Sequence, residues 1–256
     1  MSHPSESRTS QIAKRVASLQ RPFSSVTAYD YPMGRLADEA GIDVILVGDS
    51  VGMMVGGMQD TTGVTLDHML YHTEIVGRAV KNAILIADLP INTYRTPDES
   101  VRNGKKLIEC GAHAVKIEGG LRQVEKVRAM VENDIPMVGH LGMLPQRVRE
   151  EGGYKKKGKT DEECRLLLEA AGALADAGVA MIVLESITTD IATRITENIS
   201  VPTIGIGSGP NCSGQIRVLH DVIGAYPWFV PPFAKVYINV AGQVSEALQQ
   251  FRKELK

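Results

Sequence analysis

The sequence predicts a single (β/α)8 barrel of the TIM type, and three observations support this prediction. Short runs rich in Val and Ile recur along the 256 residues, and amphipathic segments of helical length separate them. Strand and helix in steady alternation indicate a parallel sheet with right-handed crossovers. Seven or eight such units fit a closed barrel at this length, and no G-x-G-x-x-G follows the first strand, which disfavours a doubly wound dinucleotide-binding sheet.

The predicted strands are near-continuous apolar runs, as expected for strands buried on both faces. They span residues 24–30, 43–49, 83–89, 113–119, 136–142, 180–186 and 201–207, with a weaker candidate at 228–234. The helical segments 33–41, 101–111 and 166–178 each end on a glycine, the usual residue just after a helix C-terminus.

A further helix is predicted over residues 9–20, with Thr9 or Ser10 as its N-cap. We expect this helix to cap the bottom of the barrel and residues 1–8 to be disordered. No linker or change in composition divides the rest, so residues 1–256 are predicted to form one domain.

Composition argues against several functional classes. The formal net charge is -2, from 28 basic and 30 acidic residues, so no overall field favours nucleic acid or an anionic membrane as partner. The apolar runs are far shorter than the roughly 20 residues of a membrane-spanning helix, and the N-terminus lacks the apolar stretch of a secretion signal. Three widely spaced cysteines fit neither a disulfide framework nor a zinc site. We therefore expect a cytoplasmic protein.

Acidic residues gather at the predicted carboxyl ends of the strands, where such barrels build their active sites. Asp49 ends the second strand, Asp88 the third, Glu118 the fourth and Glu185 the sixth. Two carboxylates about 4 Å apart repel by roughly 4 kcal/mol at an effective dielectric of about 20, so the cluster needs protons or a cation. An all-oxygen ligand set suits Mg²⁺ or Mn²⁺ better than zinc. The alternative is that these acids only cap helix N-termini.

Short motifs along the chain identify a family. They are T-A-Y-D-Y (27–31), A-D-E-A-G (37–41), V-G-D-S-V-G-M (47–53), Y-H-T (71–73), A-D-L-P (87–90), V-K-I-E-G-G (115–120), G-H-L-G-M-L-P-Q (139–146), G-G-Y-K (152–155), V-L-E-S (183–186) and I-G-I-G-S-G (204–209). In this order they resemble the ketopantoate hydroxymethyltransferase family over about residues 10–240. The resemblance implies transfer of a one-carbon unit from 5,10-methylenetetrahydrofolate to 3-methyl-2-oxobutanoate, giving 2-dehydropantoate for pantothenate biosynthesis.

The resemblance also assigns ligands to the site. Asp49 and Asp88 are expected to bind a divalent cation, Mg²⁺ or Mn²⁺ or another, and Glu118 to coordinate it directly or through water. Ser50 and Lys116 are expected to bind the keto acid, whose keto and carboxylate oxygens chelate the same ion held by Asp49 and Asp88. Family members commonly form homo-oligomers, often decamers, so we expect an oligomer here.

Glu185 is the expected proton acceptor at C3 of the keto acid, again by resemblance. Its chemistry is suitable because it lies on a different strand from the predicted ligands, so it can stay free to take the proton. Lys116 adds a fixed positive charge beside the developing oxyanion. Two roles stay open for His140, which either lines the pocket or forms hydrogen bonds near the metal.

Two stretches depart from the family pattern. Ser213 stands where the family commonly has an aspartate, in a loop that we expect to lie at the mouth of the barrel. Residues 57–63 belong to a loop that usually has an aromatic residue or His near its start and Leu-Pro at its end. Both changes bear on donor or acceptor specificity more than on the metal ligands.

Other polar clusters have simpler explanations. The lysines of residues 155–159 are expected to form either a solvated loop or a mobile lid that contacts the glutamyl tail of folate. His68 and His72, with Glu74 nearby, do not form H-E-x-x-H, so structural roles are expected there in place of zinc binding. Cys110 and His113 precede the fourth strand, at the wrong end of a barrel for catalysis.

Two other functions compete with hydroxymethyl transfer. Lyases and mutases of the phosphoenolpyruvate mutase and isocitrate lyase type also chelate an α-keto acid on Mg²⁺ in a barrel, but the sequence lacks a K-K-C-G-H-type loop. A non-catalytic paralogue that only binds a metabolite is the second alternative. Intact acids at the strand ends disfavour it, since an unused cluster of carboxylates is costly to retain.

Overall fold

The computed structural model describes residues 6–255, in which eight strands close into a barrel in chain order. The strands are β1 (Phe23–Thr27), β2 (Val44–Val47), β3 (Ile84–Asp88), β4 (Ala114–Glu118), β5 (Met137–Gly142), β6 (Met181–Glu185), β7 (Thr203–Ile206) and β8 (Gly214–Arg217). Consecutive strands from β1 to β8 pair in parallel. The predicted (β/α)8 barrel is confirmed.

Helices follow most of the strands. The α-helices of the described chain are α1 (Arg8–Ala17), α2 (Tyr31–Glu39), α3 (Val51–Met54), α4 (Leu66–Ala79), α5 (Pro97–Glu109), α6 (Val124–Glu132), α7 (Asp161–Asp176), α8 (Thr189–Asn198), α9 (Leu219–Val222) and α10 (Val240–Glu254). The three glycines predicted just after helices, Gly41, Gly111 and Gly178, all have positive φ angles, between 79° and 104°. Glycine adopts this conformation without steric cost, which explains why these helices end there.

Alternate strand residues fill the lower part of the barrel with apolar side chains. This cluster includes Phe23, Val44, Ile84, Ala114, Val138, Met181, Ile204 and Ile216. Ile12 and Val16 of α1 pack into the same cluster, so the predicted N-terminal helix does cap this end of the barrel.

The start of helix α1 differs from the prediction. Ser7 is the N-cap, and its hydroxyl accepts a hydrogen bond from the Ser10 backbone, so the assignment of Thr9 or Ser10 as cap is wrong. The backbone N–H groups of Arg8 and Thr9 donate to the Asp134 carboxylate at 3.0 Å. This contact joins residues more than 120 positions apart, so no local pattern predicts it. Of the predicted disordered segment 1–8, residues 1–5 lie outside the described residues, whereas Ser7 and Arg8 belong to the cap and first turn of α1.

The eighth strand also differs from the prediction. It is Gly214–Arg217, and the weak candidate at 228–234 forms turns and irregular structure. The physical reason lies in the Pro231–Pro232 pair, since proline has no N–H to donate to a sheet ladder. Strand β8 escaped notice because Ile216 is its only large apolar residue.

The described chain divides into two compact units, one that extends to Ile216 and one that begins at Arg217. Within the second unit, the Tyr237 backbone donates to the Val222 carbonyl at 2.9 Å. Helix α10 buries no residue and exposes an apolar row of Val244, Leu248 and Phe251. The prediction of a single domain stays a prediction.

In residues 6–255, no helix has the length and apolar character needed to span a membrane.

Gly214 is expected to be essential for closing the barrel. A Cβ atom placed on it would lie 2.3 Å from the Phe23 ring in the core, so Gly214→Ala should destabilise the fold by about 1–3 kcal/mol through overpacking. A matched control is Gly172→Ala on α7, where a Cβ meets nothing within 4 Å. This change should stabilise the protein by about 0.5–1 kcal/mol because alanine favours helix. Urea unfolding measures both, and equal effects would contradict the packing argument.

Candidate active site

The inward face of the barrel changes from apolar to charged along the strands. On β3, Ile84 and Ile86 belong to the core cluster, and Asp88 follows two residues later on the same face. On three further strands, every second residue also faces inward, and the last of these inward residues are polar. These are Lys116 and Glu118 on β4, His140 on β5 and Glu185 on β6. The charged residues therefore converge because they continue the core-facing rows.

Asp49 and Ser50 join this layer from the turn after β2. The Asp49 backbone N–H donates to Asp88 Oδ2 at 3.1 Å. A Cβ on Gly48 would lie 3.0 Å from Ser50 Oγ and 3.5 Å from Asp88 Oδ2, so glycine allows the close approach. The Ser50 side chain does not cap helix α3. Its hydroxyl instead forms a hydrogen bond with the Tyr29 hydroxyl at 2.8 Å, at the edge of the site.

Lys116 supplies a buried positive charge between the acids. Its Nζ lies 3.0 Å from Asp88 Oδ1 and 3.3 Å from His140 Nδ1. Burial lowers the pKa of Lys116, but Asp88, Glu118 and Asp49 outweigh burial and raise it above its usual value. Lys116 is therefore a fixed ammonium at neutral pH.

His140 links the fourth strand to the sixth. Its Nδ1 lies 3.4 Å from Glu118 Oε1 and its Nε2 lies 3.2 Å from Glu185 Oε2. Burial and Lys116 lower the pKa of His140, but contacts with Glu118 and Glu185 raise it to about 9. Glu118 Oε1 and His140 Nε2 lack a partner in hydrogen-bond geometry, so these contacts are ion pairs, and the two roles left open for His140 stay predictions. The Glu185 side chain is 17% exposed against 2% for Glu118, so Glu185 is the acid more accessible from outside.

The ends of β5 and β6 approach each other unusually closely. Gly142 has a φ of 103°, and a Cβ on it would lie 2.1 Å from the Glu185 carbonyl oxygen, so only glycine fits. Directly after Glu185, Ser186 adopts a φ of 49°, which is uncommon for a residue other than glycine. The carboxylate of Glu185 is thus carried on a tightly constrained backbone.

Burial and mutual repulsion disfavour the ionised forms of the buried acids. Burial raises the pKa of Asp49 well above its usual value, and the charges of Asp88 and Glu118 raise it further. Burial also raises the pKa of Asp88, although Lys116 acts in the opposite direction. The cluster is therefore short of positive charge and would gain from a cation.

Two residues that sequence reasoning missed complete the layer. Gln146 lies on the turn after β5, 2% exposed, and its Nε2 donates to Asp49 Oδ2 at 2.8 Å. Its backbone N–H donates to Glu118 Oε2 at 3.0 Å. The Tyr94 hydroxyl in turn donates to Gln146 Oε1. The only sequence signal for Gln146 was its place at the end of the G-H-L-G-M-L-P-Q motif.

The chemistry of the site suits a hard cation, although the ligand set is not closed. Asp88 Oδ1 and Glu118 Oε1 are buried and lack a partner in hydrogen-bond geometry, with only the contacts to Lys116 and His140 described above. Carboxylate oxygens of this kind are the ligands that Mg²⁺ prefers. Across residues 6–255, however, no three acidic, His or Cys side chains converge as a metal-binding group. The assignment of Asp49, Asp88 and Glu118 as metal ligands therefore stays a prediction.

The structure does not support the alternative that the acids only cap helices. The α-helices that follow β2, β3, β4 and β6 begin at other N-caps, namely Ser50, Thr96, Gln123 and Thr188. The seven predicted site residues lie at or just after the carboxyl ends of β2 to β6.

The position predicted for Ser213 is wrong. It directly precedes β8, its carbonyl accepts from the Phe23 backbone, and it exchanges hydrogen bonds with Thr203. Phe23 and Thr203 begin β1 and β7, so Ser213 lies at the bottom of the barrel. The β7–β8 connection is short and contains no helix, and by Ser213 it has already returned from the mouth. Its serine is therefore not expected to contact substrate.

His68, His72 and His113 make contacts that fit the expected structural roles. His68 Nδ1 accepts from the Thr65 backbone in a capping box at the start of α4. His72 Nδ1 lies 2.6 Å from the Tyr29 carbonyl oxygen. His113 Nδ1 accepts from the Leu85 backbone at 2.9 Å. None of these contacts indicates zinc binding.

The fold and the site together define a barrel protein with a group of buried acids at the carboxyl ends of its strands. The sequence profile described as ketopantoate hydroxymethyltransferase matches residues 7–256. Proteins named 3-methyl-2-oxobutanoate hydroxymethyltransferase are 50% identical in Ignicoccus hospitalis, over 90% of this chain and 88% of that protein, and 48% identical in Pyrococcus furiosus, over 91% and 83%. The chain therefore belongs to the ketopantoate hydroxymethyltransferase family and is a transferase enzyme.

Solved structures at lower identity share the fold. 2,3-Dimethylmalate lyase, from the PEP mutase/isocitrate lyase superfamily, has a TM-score of 0.67 at 18% identity, covering 99% of this chain and 90% of that chain. Phosphonopyruvate hydrolase has a TM-score of 0.67 at 14% identity, covering 97% and 88%. These lyase and hydrolase structures thus share the barrel with this chain, which belongs to the ketopantoate hydroxymethyltransferase family.

Proposed function

We propose that this enzyme transfers a hydroxymethyl group to 3-methyl-2-oxobutanoate and forms 2-dehydropantoate for pantothenate biosynthesis. The proposed donor is 5,10-methylenetetrahydrofolate, with one water supplying the hydroxyl oxygen, and the proposed cofactor is a divalent cation such as Mg²⁺. The names of the relatives support the acceptor. The observation that carries the proposal is the layer of buried acids around Lys116, with Glu185 as its most exposed carboxylate.

In the proposed reaction Glu185 breaks the C3–H bond. Its carboxylate accepts the proton, and the electron pair moves towards the keto oxygen, giving an enolate. One water hydrolyses the iminium form of the donor to formaldehyde and tetrahydrofolate, which breaks the carbon–nitrogen bond. The enolate C3 then bonds to the formaldehyde carbon, and Glu185 returns its proton to the new alkoxide. The Lys116 ammonium stabilises the developing negative charge at a fixed position. His140, as a cation, attracts the Glu185 carboxylate, since its Nε2 lies 3.2 Å from Glu185 Oε2.

Asp49, Asp88 and Glu118 would hold the cation, and Ser50 would contact the keto acid beside it. When bound, the cation supplies Lewis-acid polarisation of the keto group, a contribution of several kcal/mol. The raised pKa values of Asp49 and Asp88 support this assignment, since a bound dication offsets the repulsion among the acids.

A cavity of about 420 Å³ beside the site supports a large, anionic donor. Its walls begin where the site strands end, at Gly119 after β4 and Gly142 on β5. The lining includes five leucines, one acid, Glu163, and three basic residues, Arg122, Arg147 and Lys157. Apolar walls suit the aromatic part of a folate, and basic side chains suit its carboxylates.

The lysine run is expected to sense the glutamyl tail of the donor. Lys157 is tied beside β6, because its backbone N–H donates to the Ser186 carbonyl at 2.8 Å. Lys157→Met should raise the KM for a polyglutamylated donor by about two- to five-fold, because it removes one partly exposed ion pair. The KM for a monoglutamylated donor should change less. Lys159→Met, which does not line this cavity, is the control. Equal KM values for both donors in the unmodified enzyme would contradict the contact.

Deuterium exchange at C3 of 3-methyl-2-oxobutanoate, followed by NMR, tests the proposed function. Exchange that requires Mg²⁺ and no donor, with 2-dehydropantoate appearing only after donor is added, is expected. Cleavage products from the keto acid would favour a lyase, and tight keto-acid binding without exchange would favour a non-catalytic protein.

Assembly and location remain predictions. We propose a cytoplasmic homo-oligomer, a decamer by family analogy. The exposed apolar row on α10 supports oligomer formation, since large exposed apolar surfaces usually mark contacts. Light scattering on the purified protein would give ten times 27.7 kDa for a decamer.

A further inference from the structure

Gln146 occupies a central position among the proposed metal ligands. Through its side-chain Nε2 it holds Asp49 Oδ2, on the turn after β2, and through its backbone N–H it holds Glu118 Oε2, at the end of β4. One residue thus binds one oxygen of each of two acids carried by non-adjacent strands. The other oxygen of each carboxylate is left for a different partner.

The orientation of the Gln146 amide is fixed from both sides. Nε2 has two hydrogens, and two acceptors lie within reach, Asp49 Oδ2 at 2.8 Å and the Leu89 carbonyl at 3.0 Å. Oε1 accepts from the Tyr94 hydroxyl. A flipped amide would set its oxygen against a carboxylate and a carbonyl, so only one orientation satisfies every group.

The neutral charge of the amide matters as much as its geometry. A lysine or arginine at this position would also satisfy Asp49, but it would cancel negative charge that a cation needs. Gln146 stabilises a buried carboxylate by hydrogen bonding and leaves the charge of the cluster unchanged. Lys116, by contrast, pairs with Asp88 as a charged group.

We infer that Gln146 is a positioning residue that holds Asp49 and Glu118 in place for the cation, with Tyr94 fixing its amide. This inference rests on the proposed function, because it assigns the two acids to a cation. Outer partners of metal ligands orient them in many sites, and their loss typically weakens metal binding about 10- to 100-fold.

The test is Gln146→Met, which keeps the length of the side chain and removes its amide donor to Asp49, while the backbone N–H that binds Glu118 stays. The dissociation constant for Mn²⁺, measured by calorimetry on the full-length protein without substrate, should rise about 10- to 100-fold. Gln123→Met is the matched control: its amide donates to the backbone carbonyl of Glu118 at 3.0 Å and touches no carboxylate. That variant should bind Mn²⁺ as the unmodified protein does, even if its melting temperature falls.

Tyr94→Phe provides a second variant in case Gln146→Met fails to fold. It leaves Gln146 in place but frees the amide to rotate, so the Mn²⁺ dissociation constant should rise less, by about three- to ten-fold, towards the lower end of the range for outer partners. Unchanged Mn²⁺ affinity in Tyr94→Phe and in folded Gln146→Met would overturn the inference while leaving the proposed function intact. Failure of the unmodified protein to bind Mn²⁺ would instead overturn the cation in the proposed function.

Discussion

Replacing Glu185 by Gln is expected to slow deuterium exchange at C3 of 3-methyl-2-oxobutanoate by about 10²- to 10⁴-fold, because a general base contributes this much and the amide cannot accept the proton. Metal-dependent binding of the keto acid should stay largely intact, since Glu185 lies apart from the proposed ligands and the amide has a similar shape. NMR exchange rates and calorimetric binding measure the two effects separately.

Glu169→Gln is the control for this change, because Glu169 is an exposed acid of α7 that pairs with Arg165 at 3.1 Å. It should exchange at the rate of the unmodified enzyme. If Glu185→Gln also exchanges at that rate, another group is the base, and the assignment of Glu185 is wrong.

Lys116→Met is expected to have the second large effect, on stability as well as binding. It leaves Asp88 buried without its charged partner, and the loss of one member of a buried pair typically costs about 3–5 kcal/mol. Urea unfolding without metal should show this loss, and keto-acid affinity should fall because the ammonium beside the substrate is gone.

A double-mutant cycle separates the ion pair from simple packing. The variant that combines Lys116→Met with Asp88→Asn leaves neither charge unpaired, so it should be less destabilised than the sum of the two single changes. Additive losses would show that Lys116 and Asp88 do not interact in solution as their 3.0 Å contact indicates.

The sequence was sufficient to predict most of the site because the barrel strands keep a period of two. Once Ile84 and Ile86 face the core, Asp88 must face inward as well, and the same reasoning places Lys116, Glu118, His140 and Glu185. Where strand ends are polar in a buried parallel sheet, their convergence follows from topology alone.

The errors arose where local pattern was weak or misleading. Strand β8 has only Ile216 as a large apolar residue, so its pattern is weak. The aromatic residues of 228–234 resemble those of a strand, although two prolines stand among them. The sequence predicts Ser213 at the mouth because a connection after a strand usually begins there. The length needed to return to the bottom of the barrel became visible only once β8 was known.

Gln146 was missed for a different reason. A neutral amide carries no charge pattern, and its partners Asp49, Glu118 and Tyr94 lie between 28 and 97 residues away along the chain. Such long-range hydrogen bonds depend on how the turn after β5 folds over the strand ends, which no local periodicity encodes.

The most direct test of the central claim is anomalous diffraction from crystals grown with Mn²⁺ and 3-methyl-2-oxobutanoate. The account predicts one strong Mn²⁺ peak among the carboxylates of Asp49, Asp88 and Glu118, with the keto acid bound to the same ion beside Lys116. A peak elsewhere, or no peak between these acids at saturating Mn²⁺, would contradict it.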